Sequence, residues 1–155
     1  MNLNDCHNFD DFRILAKKKL PSPIFHYIDG GSDDEVTLNR NTDAFNDYDL
    51  IPNVLNDVSN IDMSTTVLGE KIDFPLFPSA TAMHRLYHHE GERASARAVE
   101  KMGTIFGTST MSTVSIEEIG QINRGPKSFQ LYIHKDRGLT AVSYTHLTLP
   151  TILLV

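Results

Sequence analysis

Apolar positions follow two different periods along this chain, and the change between them falls near its middle. In the first part the spacing is helical. Phe9, Phe12, Leu15 and Ala16 predict a buried stripe on a helix starting near Asn8, with Asp10 and Asp11 in its first turn and Lys17, Lys18 and Lys19 in its last. That charge order suits the helix dipole. Pro21 and Pro23 punctuate, and the run from Ile24 to Ile28 predicts a short helix stopped by Gly30 and Gly31. Ser32 to Glu35 reads as the start of a third helix running toward Phe45. Asp47 to Val58 has no period and reads as an irregular crossing, while Thr65 to Ile72 predicts a small hairpin turning at Gly69.

From Phe74 onward short apolar runs alternate with amphipathic stretches. Phe74 to Ser79, Thr104 to Thr108 and Ser128 to Ile133 predict three strands; Glu90 to Met102 and Val114 to Ile122 predict the helices between them, the first ended by Gly103. Strand–helix alternation implies parallel βα units. Three such units do not close a barrel, and an open parallel sheet needs helices on both faces. The pattern therefore predicts an α/β chain truncated after about three barrel strands.

The end of the chain departs from this pattern. Val142-Ser143-Tyr144-Thr145-His146-Leu147-Thr148-Leu149-Pro150-Thr151 matches one reading frame of a transposase adaptor used to prepare sequencing libraries, and no Asp, Glu, Lys or Arg occurs from Ala141 to Val155. The expectation is that residues 1–140 are the native portion and 141–155 a non-native tail, to be left out of fold reasoning. The alternative is an ordinary strand, because Thr, Leu, Ile and Val favour extended backbone.

Composition narrows the classes. A net charge of -6 gives no electrostatic case for nucleic acid. The single cysteine, Cys6, excludes an intramolecular disulfide and a cysteine-based metal cluster, so a reducing, cytoplasmic setting is the default. Met1 to Phe12 lacks the apolar segment of a secretory signal, and the run from Leu147 to Val155 is too short to span a bilayer. These residues leave peripheral attachment to the inner face of the cytoplasmic membrane open. His84, His88, His89 and Glu90 crowd together, but adjacent histidines point in different directions and no carboxylate stands as in HExxH, so a solvated helix start is the preferred reading and no metal is assigned.

Polar and small residues gather instead at the C-terminal ends of the three predicted strands: Ser79 to Met83 after the first, Thr108 to Ser112 after the second, and Gln130 with Tyr132 on one face of the third. Each set alone reads as filling for a tight turn. At the C-terminal rim of a βα barrel, three in succession offer N–H groups and hydroxyls to a flat ligand.

In these residues the chain resembles the FMN-dependent 2-hydroxy acid dehydrogenase and oxidase family, over about Phe9 to Arg137. The resemblance is carried by Phe25-His26-Tyr27-Ile28-Asp29-Gly30-Gly31, Asp34-Glu35-Val36-Thr37-Leu38, Thr65-Thr66-Val67-Leu68-Gly69, Ala80-Thr81-Ala82-Met83, His89-Glu90-Gly91-Glu92 and the run from Phe129 to Arg137. It implies the N-terminal part of a TIM (β/α)8 barrel preceded by short helices and a hairpin, with FMN as cofactor. The implied reaction oxidises a small L-2-hydroxy acid, with L-lactate leading. The implied electron acceptor is a quinone, a cytochrome or oxygen, and the full-length parent is implied to be a homo-oligomer. By the same resemblance Tyr27 binds the substrate carboxylate and Tyr132 sits beside the reacting hydroxyl as a catalytic residue. Ala80, Thr81 and Ala82 lie along the flavin, Ser109 and Gln130 bond its ring edge, and Met111 lines a variable part of the substrate pocket. Ala80 stands where the family usually has proline. The family's lysine, catalytic histidine with its aspartate, arginines and phosphate site fall beyond Arg137, so the fragment itself is expected to be inactive. Two rivals stay open. A flavin-type isopentenyl diphosphate isomerase shares the barrel but leaves Tyr27 and Gln130-Leu131-Tyr132 unexplained; a noncatalytic barrel fragment would follow if the gene stopped near Val155.

Overall fold

Asn8 starts the first long helix as its side chain accepts the Asp11 N–H at 2.9 Å, so one orphan donor of the first turn is satisfied by the residue that precedes it. In the computed structural model, which describes residues 2–148, this helix is α1 (Phe9–Lys19). It is followed by α2 (Ser22–Asp29), α3 (Val36–Asp43) and a 3-10 turn over Ala44–Asp47. The chain divides into two units, Met1–Val58 and Ser59–Val155.

In the first unit α1 packs on α2, burying Leu15 and Phe25, and Arg13 grips Asp29 through two guanidinium nitrogens. The predicted stripe is only partly buried: Phe9 is 88% and Phe12 47% exposed. Leu15 is the one apolar position of α1 that is fully buried; Phe9 and Phe12 lie nearer its start, where burial is incomplete. Gly31 lets α3 fold back, since a Cβ there would meet the Leu38 Cβ at 2.9 Å. Beyond Tyr48 the chain is irregular through Val58, as its lack of period implied.

The second unit opens with the predicted hairpin, β1 (Thr65–Val67) paired antiparallel with β2 (Glu70–Ile72). Leu68 and Gly69 both take positive φ, +53° and +88°, which is the backbone a two-residue turn matched to strand twist requires. Next come α4 (Glu92–Met102), β3 (Phe106–Ser109), α5 (Ile116–Ile122), β4 (Lys127–Gln130) and α6 (Arg137–Thr148). β3 and β4 are parallel, in the register Phe106↔Lys127 through Ser109↔Gln130. Ala96 and Val99 of α4, Phe106 of β3, Val114, and Ile119 of α5 form the core that seats both helices on this pair, with Ile122 packed against it.

Two expectations change here. Phe74 to Ser79 forms no ladder, because Pro75 and Pro78 have no N–H to give a neighbouring strand. It is held beside β3 by other means: the Asp73 N–H donates to the Gly103 carbonyl at 2.8 Å and the Thr104 hydroxyl to the Leu76 carbonyl at 2.8 Å. The described residues thus contain two paired parallel strands where three were expected. The strand alternative for the tail also fails as far as Thr148, which α6 includes; the rest of the apolar run to Val155 lies outside the described residues.

Gly107 of β3 fixes how closely the unladdered segment approaches. A Cβ there would lie 2.8 Å from the Ala80 nitrogen, 3.0 Å from the Pro78 carbonyl oxygen and 3.1 Å from the Ala80 Cα, all backbone atoms. Gly107→Ala is therefore expected to lower unfolding stability by about 1–3 kcal/mol, read as a fall in Tm, although alanine suits a strand better than glycine elsewhere.

Candidate functional site

The C-terminal ends of β3 and β4 bring together most of the residues that the sequence singled out. The parallel register sets Ser109 directly beside Gln130. Ser109 is buried, and its hydroxyl donates to Gln130 Oε1 at 3.1 Å while accepting the Met111 N–H at 3.1 Å. Its single proton is thus committed to Gln130. With Oε1 held from behind, the exposed Gln130 amide nitrogen is left to donate outward, and no described residue accepts from it.

The segment Ala80–Ala82 reaches the same end. Its three backbone N–H groups donate to nothing among the described residues, and all three residues are half-buried. Ala80 contributes an N–H that a proline would lack. The Thr81 hydroxyl turns back to the Ser79 carbonyl at 3.3 Å. Met83 follows in the left-handed region at φ +53°, and its N–H donates to the Met111 carbonyl at 3.0 Å, tying this loop to the one after β3.

Tyr132 lies two residues past the end of β4, so it does not share a strand face with Gln130 as the spacing implied. Its ring is 44% exposed, its phenol makes no hydrogen bond among the described residues, and its N–H donates to the Thr110 hydroxyl at 3.0 Å. Tyr27 belongs to the first unit. It follows the buried Phe25 by two positions on α2, which turns it to the far side of that helix, and it is 59% exposed.

One residue that sequence reasoning left without a role organises these loops. Glu92, in the first turn of α4, is 1% exposed. Its Oε1 accepts the Thr113 N–H at 2.8 Å and the His84 N–H at 3.3 Å, and its Oε2 accepts the Thr113 hydroxyl at 2.5 Å. Burial pushes this carboxyl up, but donation from the Thr113 hydroxyl and N–H, its own N–H and the His84 N–H outweighs that and holds it below the usual carboxylate range. The helix N-terminus adds favourable charge. Gly91, at φ +57°, lies against Arg85 and Thr113, where a Cβ would come within 2.8 Å of Arg85 Cγ. His84 itself meets the Ser95 hydroxyl through Nδ1 at 3.3 Å, while His88 and His89 set their rings together at 4.3 Å. Among the described residues no group of three or more His, Cys, Asp or Glu side chains could hold a metal ion.

At the C-terminal ends of β3 and β4, the Ala80–Ala82 N–H groups, the Gln130 amide nitrogen and the Tyr132 phenol are thus engaged by no described residue. The family model for FMN-dependent dehydrogenase matches residues 16–144. Glycolate oxidase of Spinacia oleracea is 42% identical over 134 residues, 86% of this chain and 36% of that protein. A peroxisomal (S)-2-hydroxyacid oxidase of Arabidopsis thaliana is 44% identical over 134 residues, 86% of this chain and 37% of that protein. Among solved structures, a double mutant of flavocytochrome b2 with pyruvate bound superposes with a TM-score of 0.87 at 29% identity, covering 99% of this chain and 40% of that one. A mandelate oxidase mutant with (S)-mandelic acid gives 0.79 at 32% identity, covering 89% and 41%. The chain belongs to the FMN-dependent 2-hydroxy acid dehydrogenase and oxidase family, and β3 and β4 are strands of its TIM barrel. It spans a little over a third of the length of these curated relatives. FMN is the family's cofactor, and the unengaged N–H donors of Ala80, Thr81, Ala82 and Gln130 suit the acceptor atoms of its ring.

A carboxyl held below its unfolded value adds stability that is complete above that value, about 4.3 for glutamate, and is lost as pH falls through the lower folded one. The native chain is therefore expected to lose stability more steeply than Glu92→Gln as pH falls below the ordinary glutamate value. At neutral pH the variant should be less stable by about 1–2 kcal/mol. Urea unfolding of both across that range measures the difference.

Proposed function

We propose that this chain is part of a cytoplasmic FMN-dependent enzyme that oxidises a small L-2-hydroxy acid, with L-lactate the leading substrate. The observation that carries the reading is that the N–H groups of Ala80–Ala82, the Gln130 amide nitrogen and the Tyr132 phenol, all at the C-terminal ends of β3 and β4, are engaged by no described residue. The family's dependence on FMN supports it.

When bound, the flavin supplies acceptance of the hydride equivalents released from the substrate α-carbon. The chain's own residues do the positioning. The N–H groups of Ala80, Thr81 and Ala82 hold the ring edge, and Ser109 keeps Gln130 turned to donate there. The Tyr132 phenol holds the substrate hydroxyl and steadies the charge that grows on it as its proton leaves. The Tyr27 phenol binds the carboxylate. Met111, 46% exposed beside this group, shapes the substrate pocket. Quinone, cytochrome and oxygen are the candidate acceptors. Glycolate is the second substrate reading, favoured by the 42% identity to the Spinacia oleracea glycolate oxidase. Comparing kcat/KM for L-lactate, glycolate and (S)-mandelate in the FMN-loaded full-length protein tests the choice; no turnover of any of them would defeat the reading.

The two tyrosines should fail differently. Tyr27→Phe removes one bond to a charged group, worth roughly 1.5–3 kcal/mol, and because that group is bound before and during reaction the loss should appear mainly in KM. Tyr132→Phe removes a bond that strengthens in the transition state and should lower kcat more than it raises KM. Flavin content should survive both. Steady-state kinetics with bound flavin quantified separates the two roles, and wild-type kinetics in both variants would remove the assignment.

We also propose that Val142 to Thr151 derive from adaptor sequence. The match to one adaptor reading frame supports this; the family match, which runs to residue 144, overlaps its first three residues. Amplifying the locus from unprocessed genomic DNA across Arg137 should recover different codons after Thr140. Codons for Tyr144-Thr145-His146-Leu147 in that product would overturn the proposal.

A further inference from the structure

We infer that Thr110 is a positioning residue, whose hydroxyl fixes Gln130 and Tyr132 relative to each other at the mouth of the site. The inference rests on the function proposed above for those two residues. The β3–β4 ladder ends at the pair Ser109↔Gln130, and beyond it the backbone leaving β4 has no strand partner. The Thr110 side chain extends the ladder. The Thr110 N–H makes the ladder's last bond, to the Gln130 carbonyl at 3.1 Å, and the hydroxyl donates to the same oxygen at 2.6 Å. The hydroxyl oxygen in turn accepts the Tyr132 N–H at 3.0 Å. One side chain thus takes up the Gln130 carbonyl and the Tyr132 N–H, the two backbone groups that flank Leu131.

Threonine suits this task because its branched Cβ restricts χ1, so the hydroxyl is held rather than sampled. Both lone pairs of the Gln130 carbonyl are occupied, which removes the rotational freedom that an unpaired strand exit would have. The direction of the Gln130 amide and the place of the Tyr132 ring both follow from that peptide geometry. Ser109 orients Gln130 through its side chain; Thr110 orients it through its backbone and carries Tyr132 with it.

The test compares Thr110→Val, which keeps the shape and loses the hydroxyl, with Thr110→Ser, which keeps the hydroxyl, in the FMN-loaded full-length protein. Thr110→Ala stands in should the valine variant misfold. Hydrogen–deuterium exchange at the Tyr132 amide is expected to quicken roughly tenfold in the valine variant and to stay near the native rate in the serine variant. The kcat for the hydroxy acid should fall roughly tenfold with KM changed less, the visible flavin spectrum should shift, and serine should restore both. Unchanged amide exchange or unchanged kcat in the valine variant overturns the inference, as does a serine variant as impaired as valine. If the unsubstituted protein shows no hydroxy acid turnover, the proposed function fails, and amide exchange alone decides whether Thr110 positions the segment.

Discussion

The parallel register of β3 on β4 is the constraint from which the site follows. With Phe106 opposite Lys127, the two strands finish together at Ser109 and Gln130, and a hydroxyl and an amide come within bonding distance at the same edge. A one-residue slip would turn every side chain of one strand to its other face and separate that pair. The register is held on one face by Phe106 in the core with Ala96, Val99, Val114 and Ile119. At the strands' start, the Glu100 carboxylate receives the N–H groups of Arg124 and Gly125 at 2.8 and 3.2 Å, and the Lys127 ammonium donates to the Gly125 carbonyl at 2.8 Å. Burial pushes that lysine down from its ordinary value, while Glu100 partly restores it. Polar groups at the entry edge of β4 secure the strand; polar groups at the exit edge are left to act. This is the usual division of labour in βα barrels.

Glu92 extends the same logic to the loops. A buried carboxylate is costly unless its lone pairs are filled, and here three donors from two separate loops fill them. The reward is geometric. Helix α4, already seated on β3 by Ala96 and Val99, holds the start of the His84 turn and the Thr113 loop in one grip. The Met83 N–H to Met111 carbonyl bond closes the circuit between those loops. The Met83 bond anchors the chain immediately after Ala82.

The Ala80–Ala82 segment shows why an unladdered strand can serve a site. Pro75 and Pro78 deny it a regular ladder, and Gly107 lets its backbone lie close to β3 without one. Its N–H groups donate to no described residue, although the Ala80 nitrogen lies against Gly107. In a ladder they would be consumed; here they remain available to a ligand.

Much of the fold was legible in the sequence because it is written in local rules. The start of α1 at Asn8, Gly30 and Gly103 ending helices and the hairpin turn at Gly69 depend on residues near one another and appear where the pattern placed them; of the three alternating strands, two do. The motifs that named the family are likewise contiguous. What the sequence could not determine depends on distance in space. Phe9 and Phe12 have the period of a buried stripe, but burial requires a partner that no local pattern supplies. Gln130 and Tyr132 alternate like strand neighbours, yet pairing stops at Gln130 because β3 has no further ladder partner to offer. Glu92 and Thr110 look like an ordinary helix start and an ordinary turn hydroxyl. Their roles arise only when Thr113, twenty-one residues from Glu92, and Gln130, twenty residues from Thr110, are brought against them by tertiary packing.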